Sequence, residues 1–466
     1  MSEVRELLVR TANQIADYRE SVADARVFPE ADAADLRAAY DSSLPVRPTP
    51  PIRVIDELAA AAAPGLVATT GPRYFGFVIG GSLASATAAD LLVTGWDQPA
   101  YNAVSAPGAA VVEEVAGGWL KELLGIPATA SFGFVTGAQA ANNVGLAAAR
   151  HHVLGAVGYD VEHDGLAGAP RVRVIASAER HATIDRSLRL LGFGSALVEE
   201  VAADHNGAID VSELGAVLAS GPSGPTIVIA QSGNVNTGAC DDLAGVTAVA
   251  HNHDAWVHVD GAFGLWAAAS PTTRHLVAGV EAADSWGCDG HKWLNVPYDS
   301  GYVFCAHPES HAAAMAYTAA YLAIPGAAAL RGPGDFVPES SRRARGFATW
   351  AALRELGQSG MAELVDRCCA LAKRFADQLG AADGVEVAND VVLNQVLVRF
   401  GTGAEPERDA TTDRVIDAVQ RSGECWMGGT TWRGARLMRI SVSNWSTTED
   451  DVDRSVAAIL AAVRSS

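Results

Sequence analysis

Residues 283–304 read Ala-Asp-Ser-Trp-Gly-Cys-Asp-Gly-His-Lys-Trp-Leu-Asn-Val-Pro-Tyr-Asp-Ser-Gly-Tyr-Val-Phe and place one lysine, Lys292, in a polar turn. The runs at 283–288 and 301–304 on either side have the composition of strands. We therefore expect the amine to be held between rigid flanks, where it can form a Schiff base with an aldehyde. A lysine in a random loop is more often a solvated surface residue, so the rest of the chain has to support this interpretation.

Composition narrows the class of partner. The chain has 466 residues, 49% of them hydrophobic, which is enough for two or three domains with large cores. Its formal net charge of −20 repels nucleic acid and anionic lipid, so we predict neither a nucleic-acid nor a membrane partner. A small molecule is the expected ligand.

Cysteine usage and the N-terminus indicate the compartment. The six cysteines contain no C-x-x-C pair, which is typical of free thiols in a reducing environment. The N-terminal residues form a charged, amphipathic pattern without the apolar core of a signal peptide. We predict a cytoplasmic protein.

Three short β-rich runs, separated by helical patterns, predict a mostly parallel sheet covered by helices on both faces, and thus an α/β fold. The runs are residues 172–177, 226–230 and 256–260. Each ends in a cluster of polar residues, and ligands of such sheets bind at the carboxyl ends of the strands. We interpret the three ends as one site.

Residues 132–150 read as a strand, a turn of small residues and a helix. Because the first N–H groups of a helix have no partner within it, this turn suits an anion. The positions for a phosphate are Thr136 to Gln139; in isolation the pattern is also that of an ordinary strand-to-helix turn.

The chain divides by pattern into three parts. Residues 1–65 form a helical arm with a proline-rich linker, residues 66–345 the large domain, and residues 346–466 a smaller C-terminal α+β domain. His251 and His253 are two positions apart and do not share a helix face, so we predict no metal site there.

The strand-end residues together match the needs of pyridoxal 5'-phosphate (PLP). Lys292 supplies the amine for the aldehyde, and Asp260 the acidic partner of the pyridine nitrogen. His181 can stack on the ring and handle a proton. The phosphate is expected on Ala138 and Gln139.

Further phosphate contacts are expected from His291, next to the lysine, and from Asn236 and Thr237, which follow another strand. The predicted catalytic residues are thus Lys292, His181 and Asp260.

The motifs resemble those of the group II PLP-dependent decarboxylases, the family of glutamate and aromatic-L-amino-acid decarboxylases. His-Val-Asp-Gly-Ala at 258–262 is similar to the family's H-V-D-A-A, and Asp-Gly-His-Lys-Trp at 289–293 to its N-x-H-K-W; Asp260 and Lys292 lie 32 positions apart, as in the family pattern. The resemblance covers about residues 66–460. It implies the aspartate aminotransferase fold (PLP fold type I), with a mostly parallel seven-stranded sheet, and a homodimer with the active site at the subunit interface.

The chain departs from the family pattern at several places. The phosphate turn lacks the family's serines, Asp289 stands where many members have asparagine, and Gly261 replaces an alanine. The span from Ala323 to Ser341, where many members carry a tyrosine that donates a proton, contains Phe336 and no tyrosine. Candidate donors in its place are Tyr317, Tyr321 and His181.

The resemblance implies removal of the α-carboxylate of an L-amino acid, with release of an amine and carbon dioxide. The alternatives are an aldehyde synthase, an aldolase-type lyase or an aminotransferase on the same scaffold. A non-enzymatic cofactor-sensing regulator is disfavoured by the acidic charge. Which amino acid is the substrate does not follow from the sequence.

Overall fold

A seven-stranded sheet organises the larger part of the computed structural model, which describes residues 2–41, 43–317 and 331–465. Within these residues the strand order is β1-β7-β6-β5-β4-β2-β3. Strand β7 is antiparallel to β1 and β6, and the other neighbours are parallel. The strands are β1 (Ser131–Val135), β2 (Arg173–Ser177), β3 (Val198–Val201), β4 (Thr226–Gln231), β5 (Trp256–Asp260), β6 (Ser285–Asp289) and β7 (Gly301–Cys305).

Helices alternate with these strands and also form the two ends of the chain. They are α1 (Glu3–Ser21), α2 (Ala33–Tyr40), α3 (Pro51–Ala62), α4 (Ala84–Trp96), α5 (Pro107–Leu124), α6 (Ala138–Gly155), α7 (Val161–Asp164), α8 (Ala182–Leu190), α9 (Val211–Ser220), α10 (Leu243–His251), α11 (Pro308–Met315), α12 (Gly346–Gly380, interrupted at Gly357), α13 (Glu405–Ser422) and α14 (Glu449–Ser465). Short 3-10 helices occur at Ala63–Gly65, Gly264–Ala269, Arg274–Val277, Val280–Ala282 and Pro333–Phe336.

The central strands are buried on both faces because helices cover the sheet. Every residue of β4 and β5 is buried, and α6 packs its apolar side chains against β2 and β4. Buried polar residues within this core bond to one another. His258 bonds to Ser285 Oγ (2.8 Å) and Asn142 Oδ1 (3.1 Å), and burial lowers its pKa to about 3, so the ring is neutral.

A second, four-stranded sheet follows in the C-terminal part, with the order β10-β11-β9-β8 among the described residues. Its strands are β8 (Val385–Val387), β9 (Gln395–Phe400), β10 (Gly428–Trp432) and β11 (Ala435–Ser441). The predicted α/β class, with a mostly parallel seven-stranded sheet and a smaller C-terminal α+β part, is confirmed.

The apolar run at residues 391–393 predicts a strand, but the structure has no strand there. The residues before it are held by side-chain bonds instead of a ladder. Asn389 Nδ2 donates to Thr237 O (3.1 Å), and Asp390 N donates to Asn206 Oδ1 (3.1 Å). A short apolar run without a pairing partner does not make a strand.

The chain divides into two units. One comprises residues 80–372 and 389–395 and contains the seven-stranded sheet; the other comprises residues 1–79, 373–388 and 396–466. The division at residues 65 and 345 stays a prediction. Among the residues that the structure describes, none of the helices combines the length and apolarity that crossing a bilayer requires.

The end of β5 explains one departure from the family pattern. A Cβ on Gly261 would overlap the side chain of Leu265, which is fully buried in the following 3-10 helix. Glycine at this position therefore lets the helix pack directly against the residue after Asp260.

Replacing Gly261 by alanine should lower the free energy of unfolding by about 1–3 kcal/mol, because the added methyl overpacks this contact. Urea denaturation measures the change. The matched control is Gly118→Ala on the exposed face of α5, where a Cβ meets nothing within 4 Å; it should be neutral or stabilising by about 0.5–1 kcal/mol. Equal stability of the Gly261→Ala variant and the wild type would contradict this account.

Candidate active site

A cavity of about 290 Å³ lies at the carboxyl ends of the parallel strands. It gathers residues from the ends of β4, β5 and β6 and from the N-termini of α6 and α8, as expected for a sheet of this class. The lining residues are Thr136, Gly137, Ala138, Gln139, His181, Thr183, Gln231, Gly233, Val235, Asp260, Ala262, Phe263, Asp289, His291 and Lys292.

Asp260 is the last residue of β5 and is buried in the floor of this cavity. Burial raises the pKa of its carboxyl group, while the nearby His181 and Lys292 act in the opposite direction. Its Oδ1 accepts one backbone hydrogen bond, from Ala262 N at 3.3 Å. The carboxyl group is therefore shielded from water and lines the same cavity as His181 and Lys292.

Lys292 lies in the turn between β6 and β7, as the sequence predicts. Its Nζ is 2.9 Å from Asp289 Oδ2 and 6.0 Å from the centre of the Phe263 ring. The side chain is 19% exposed, so the amine is reachable from the cavity but largely shielded from bulk water.

Lys292 is one of three lysines in the whole sequence, with Lys121 and Lys373. Lys121 Nζ donates to the carbonyl oxygens of Ala128 (2.6 Å) and Ala130 (2.8 Å). Lys373 is on the surface, 3.1 Å from Asp377. Among the three, Lys292 alone lines this cavity.

His181 is the N-cap residue of α8. Its Nδ1 accepts the backbone N–H of Thr183 (3.3 Å) and lies 2.7 Å from the hydroxyl of the same residue. An Nδ1 that accepts leaves the proton of the neutral ring on Nε2. The ring orientation is thus fixed by the helix cap.

The N-terminus of α6 forms another wall of the cavity. Ala138 N donates to Asp289 Oδ1, and Gln139 Nε2 donates to Ser187 Oγ (2.7 Å) and Thr183 O (3.2 Å). Gln139 Oε1 is buried and has no hydrogen-bond partner among the described residues. This end of the helix therefore has polar groups to offer to a ligand.

His291 closes the cavity beside Lys292. Its Nδ1 accepts from Ser300 N (3.1 Å), its Nε2 is 3.3 Å from Asp289 Oδ1, and its ring stacks on Tyr298 with centroids 4.2 Å apart. Burial is the largest influence on its pKa, which is lowered. The lowered pKa favours the neutral ring, whose Nε2 lies close to the Asp289 carboxylate.

Asn236 and Thr237 are the predicted residues that the structure does not bring to the cavity, where Val235 takes their place. Thr237 is fully buried and its hydroxyl donates to Asn206 O at 2.6 Å. Asn236 N donates to Asn234 Oδ1 at 2.9 Å. Both residues thus belong to a turn beyond the strand end.

Phe336 lies outside the lining of this cavity. Its ring packs against His311 (5.1 Å between centroids) and under the guanidinium of Arg331 (4.5 Å), and its carbonyl accepts from His311 Nε2 at 2.9 Å. Tyr317 OH is 3.2 Å from Tyr101 OH. Tyr321 and the segment at 323–330 lie outside the described residues.

A larger cavity at the amino ends of the parallel strands is lined by His251 and His253. There Asp284 binds His251 Nε2 (3.0 Å) and His307 Nε2 (2.9 Å) through its two oxygens. In the part of the chain that the structure describes, no group of three His, Cys, Asp or Glu residues has an arrangement suited to a metal ion.

Sequence reasoning missed the contribution of two residues. Asp289 was noted only as a departure from asparagine, yet its carboxylate contacts Ala138, His291 and Lys292. Thr183 orients His181, and its position in the first turn of α8 was the available signal.

Comparisons with known proteins agree with this geometry. Residues 34–401 match the model of the pyridoxal-dependent decarboxylase conserved domain. Tryptophan decarboxylase 1 of Oryza sativa subsp. japonica is 27% identical, over 95% of this chain and 90% of the relative. Aromatic-L-amino-acid decarboxylase of Bacillus atrophaeus is 26% identical, over 97% of this chain and 93% of the relative.

Solved structures show the same fold. A crystal structure of Oryza sativa TDC with PLP and tryptamine has a TM-score of 0.92 and 25% identity, covering 99% of this chain and 98% of that one. The structure of mouse CSAD has a TM-score of 0.91 at 21% identity, covering 99% and 98% of the two chains.

The residues present fit the cofactor of this family. The cavity offers an accessible lysine amine, a buried carboxylate, an imidazole and a helix N-terminus beside the unpartnered Gln139 oxygen. The predictions of PLP as cofactor and of amino acid decarboxylation are confirmed by the family match. With most of its length matched, the chain belongs to the pyridoxal-dependent decarboxylase family.

Proposed function

We propose that the chain decarboxylates an aromatic L-amino acid, releasing carbon dioxide and the amine. The observation that carries this proposal is the gathering of Lys292, Asp260 and His181 around one cavity. The aromatic class is taken from the relatives, which are named as decarboxylases of tryptophan, of tyrosine and of aromatic L-amino acids.

In this proposal Lys292 carries the cofactor through its amine and Asp260 pairs with the pyridine nitrogen. When bound, PLP supplies an electron sink for the electron pair left by the departing carboxylate. Asp260 is suited to hold a proton on that nitrogen, because a charge shielded from water interacts strongly with its partner.

We assign to His181 a position against the cofactor ring and the handling of a proton at Nε2. Its support is the contact of Nδ1 with Thr183, which fixes both the ring plane and the protonated nitrogen. Tyr317 stays an alternative proton donor; its hydroxyl is paired with that of Tyr101.

The phosphate is assigned to the N–H groups of Ala138 and Gln139 at the start of α6, with His291 beside them. The helix dipole and the N–H groups without helical partners favour an anion at this end. Asn236 and Thr237 have no part in this assignment, because they do not line the cavity.

We also propose a homodimer in the cytoplasm. The support for a dimer is the apolar face of α1, where Val4 is 67% and Leu8 61% exposed; within the described residues this helix buries none of its own side chains. A second copy of the chain would bury this face and so reduce the apolar surface that is in contact with water. Six free cysteines suit a reducing compartment.

Replacing Lys292 by alanine should abolish both the visible absorbance of bound PLP and turnover, because the amine that binds the aldehyde is lost. Borohydride reduction followed by peptide mass spectrometry should find the cofactor on Lys292 in the wild type. The matched control is Lys373→Ala, which removes an exposed lysine and should leave both unchanged.

The same preparations test the reaction itself. A panel of amino acids should give carbon dioxide and amine with aromatic substrates in the wild type and the Lys373→Ala variant, and neither product in the Lys292→Ala variant. If every active substrate fails to release carbon dioxide, the proposed reaction is refuted.

Asp260→Asn should weaken PLP binding and reduce kcat by about 100-fold or more, since a neutral amide does not stabilise a protonated pyridine nitrogen. The control is Asp254→Asn, at the exposed turn before the other end of β5, which should have wild-type kcat. Near-wild-type turnover of the Asp260→Asn variant would remove this residue from the proposed site.

Leu8→Asp should shift the chain from dimer to monomer, because it places a charge in the face that a second copy covers. Analytical ultracentrifugation over a range of concentrations measures the shift. Val157→Asp, at a site that is 50% exposed in a different part of the chain, is the control and should stay dimeric. A wild-type chain that sediments as a monomer throughout would refute the dimer.

A further inference from the structure

We propose that Asp289 lowers the affinity of this chain for the cofactor's phosphate group, because its carboxylate lies at the anion position of α6. The inference rests on the proposed function, in which the phosphate is bound at the start of that helix.

The contacts of Asp289 place its charge at this position. Oδ1 accepts the backbone N–H of Ala138, the first residue of α6, and lies 3.3 Å from His291 Nε2. Oδ2 is 2.9 Å from Lys292 Nζ. One carboxylate therefore accepts the helix N–H, pairs with the Lys292 amine and lies beside the His291 ring, all three of which are assigned to the cofactor.

The Asp289 side chain lies close to the backbone at the start of α6. A Cβ on Gly137 would lie 2.9 Å from His291 Cε1 and 3.1 Å from Asp289 Oδ1, and a Cβ on Gly301 would overlap the backbone of Gly137. The start of α6 is thus in direct contact with β7 and with the Asp289 side chain. A phosphate at Ala138 has to lie beside the carboxylate.

Charge compensation at this place is small. The Asp289 side chain is 4% exposed, so water screens it weakly. His291 is neutral, because burial lowers its pKa. Among the described lining residues there is no arginine, and Lys292 is the one lysine. A phosphate dianion therefore meets a like charge with one compensating amine, which Asp289 already holds.

Asparagine is the informative replacement, because it keeps the size of the side chain and its acceptor for Ala138 N–H while removing the charge. Its amide also supplies a donor that a phosphate oxygen accepts. The charge on Asp289 also acts on Lys292, so affinity for PLP alone does not isolate the phosphate effect.

The test compares PLP with pyridoxal, which has the same aldehyde and ring without the phosphate. Cofactor-free full-length wild type and the Asp289→Asn variant are titrated with both compounds, and binding is followed by absorbance and protein fluorescence. Effects through Lys292 act on both ligands and cancel in the ratio of the dissociation constants, Kd(pyridoxal)/Kd(PLP). We expect this ratio to be about ten-fold higher in the variant, or ~1.4 kcal/mol.

Two further variants keep the test decisive. Asp289→Ser also removes the charge and should raise the ratio, which covers a failure of the asparagine variant to fold. Asp299→Asn removes an aspartate of the same turn whose side chain is 43% exposed and paired with Arg345 (2.8 Å), and should change the ratio less than about two-fold.

A ratio in both Asp289 variants that stays within two-fold of the wild type, or falls, overturns the inference. Failure of the proposed function has a different signature, because the wild type would then show no borohydride-trapped cofactor on Lys292. Trapping at Lys292 with an unchanged ratio rejects the role of Asp289 alone.

Discussion

The backbone ladder between β5, β6 and β7 is the constraint on which the site depends. Asp260 pairs with Gly287 in parallel register, and Asp289 pairs with Gly301 in the antiparallel hairpin. The ladder continues past the strand ends, since Gly261 N donates to Gly287 O and Asp289 N donates to Ala262 O, each at 2.9 Å. Residues far apart in sequence are thereby fixed at one edge of the sheet by main-chain hydrogen bonds rather than by side chains.

The electrostatics of the site follow from how little water reaches it. Asp260 and Asp289 are both nearly buried, and the pKa of Asp260 is raised by burial and, to a smaller extent, by the nearby Asp289. Lys292 is the cation between them. Charges that are shielded from water interact more strongly than those of a surface ion pair. We therefore expect the charge of Asp289 to influence ligand binding more than an exposed aspartate would.

Much of this arrangement was predictable from the sequence, because strand ends and turns have local signals. Apolar runs ending in polar residues located β4 and β5, and the strand-like runs on either side of Lys292 located the hairpin turn. Contacts between segments had no such signal. Thr237 reads as polar and accessible but bonds to Asn206 O, a partner 31 positions away that no local pattern reveals.

The role of Asp289 was not predictable for the same reason, namely that contacts between distant segments leave no local sequence pattern. Asp289 is next to the lysine turn in sequence, but its bond to Ala138 N spans 151 positions and arises only when β6 and α6 pack together. Packing of Leu265 against Gly261 was likewise invisible, since a glycine after a strand reads first as a turn residue.

The chain has only three lysines, so it carries few side-chain amines that can react with an aldehyde. An aldehyde condenses with any free primary amine, whereas the guanidinium group of arginine, which provides the other basic side chains, stays protonated and does not react in this way. Of the three lysines in the sequence, Lys292 alone lines the cavity, so few lysine amines are present to compete for the aldehyde. A reactive carbonyl compound therefore meets few lysine side chains on this chain other than the one in the cavity.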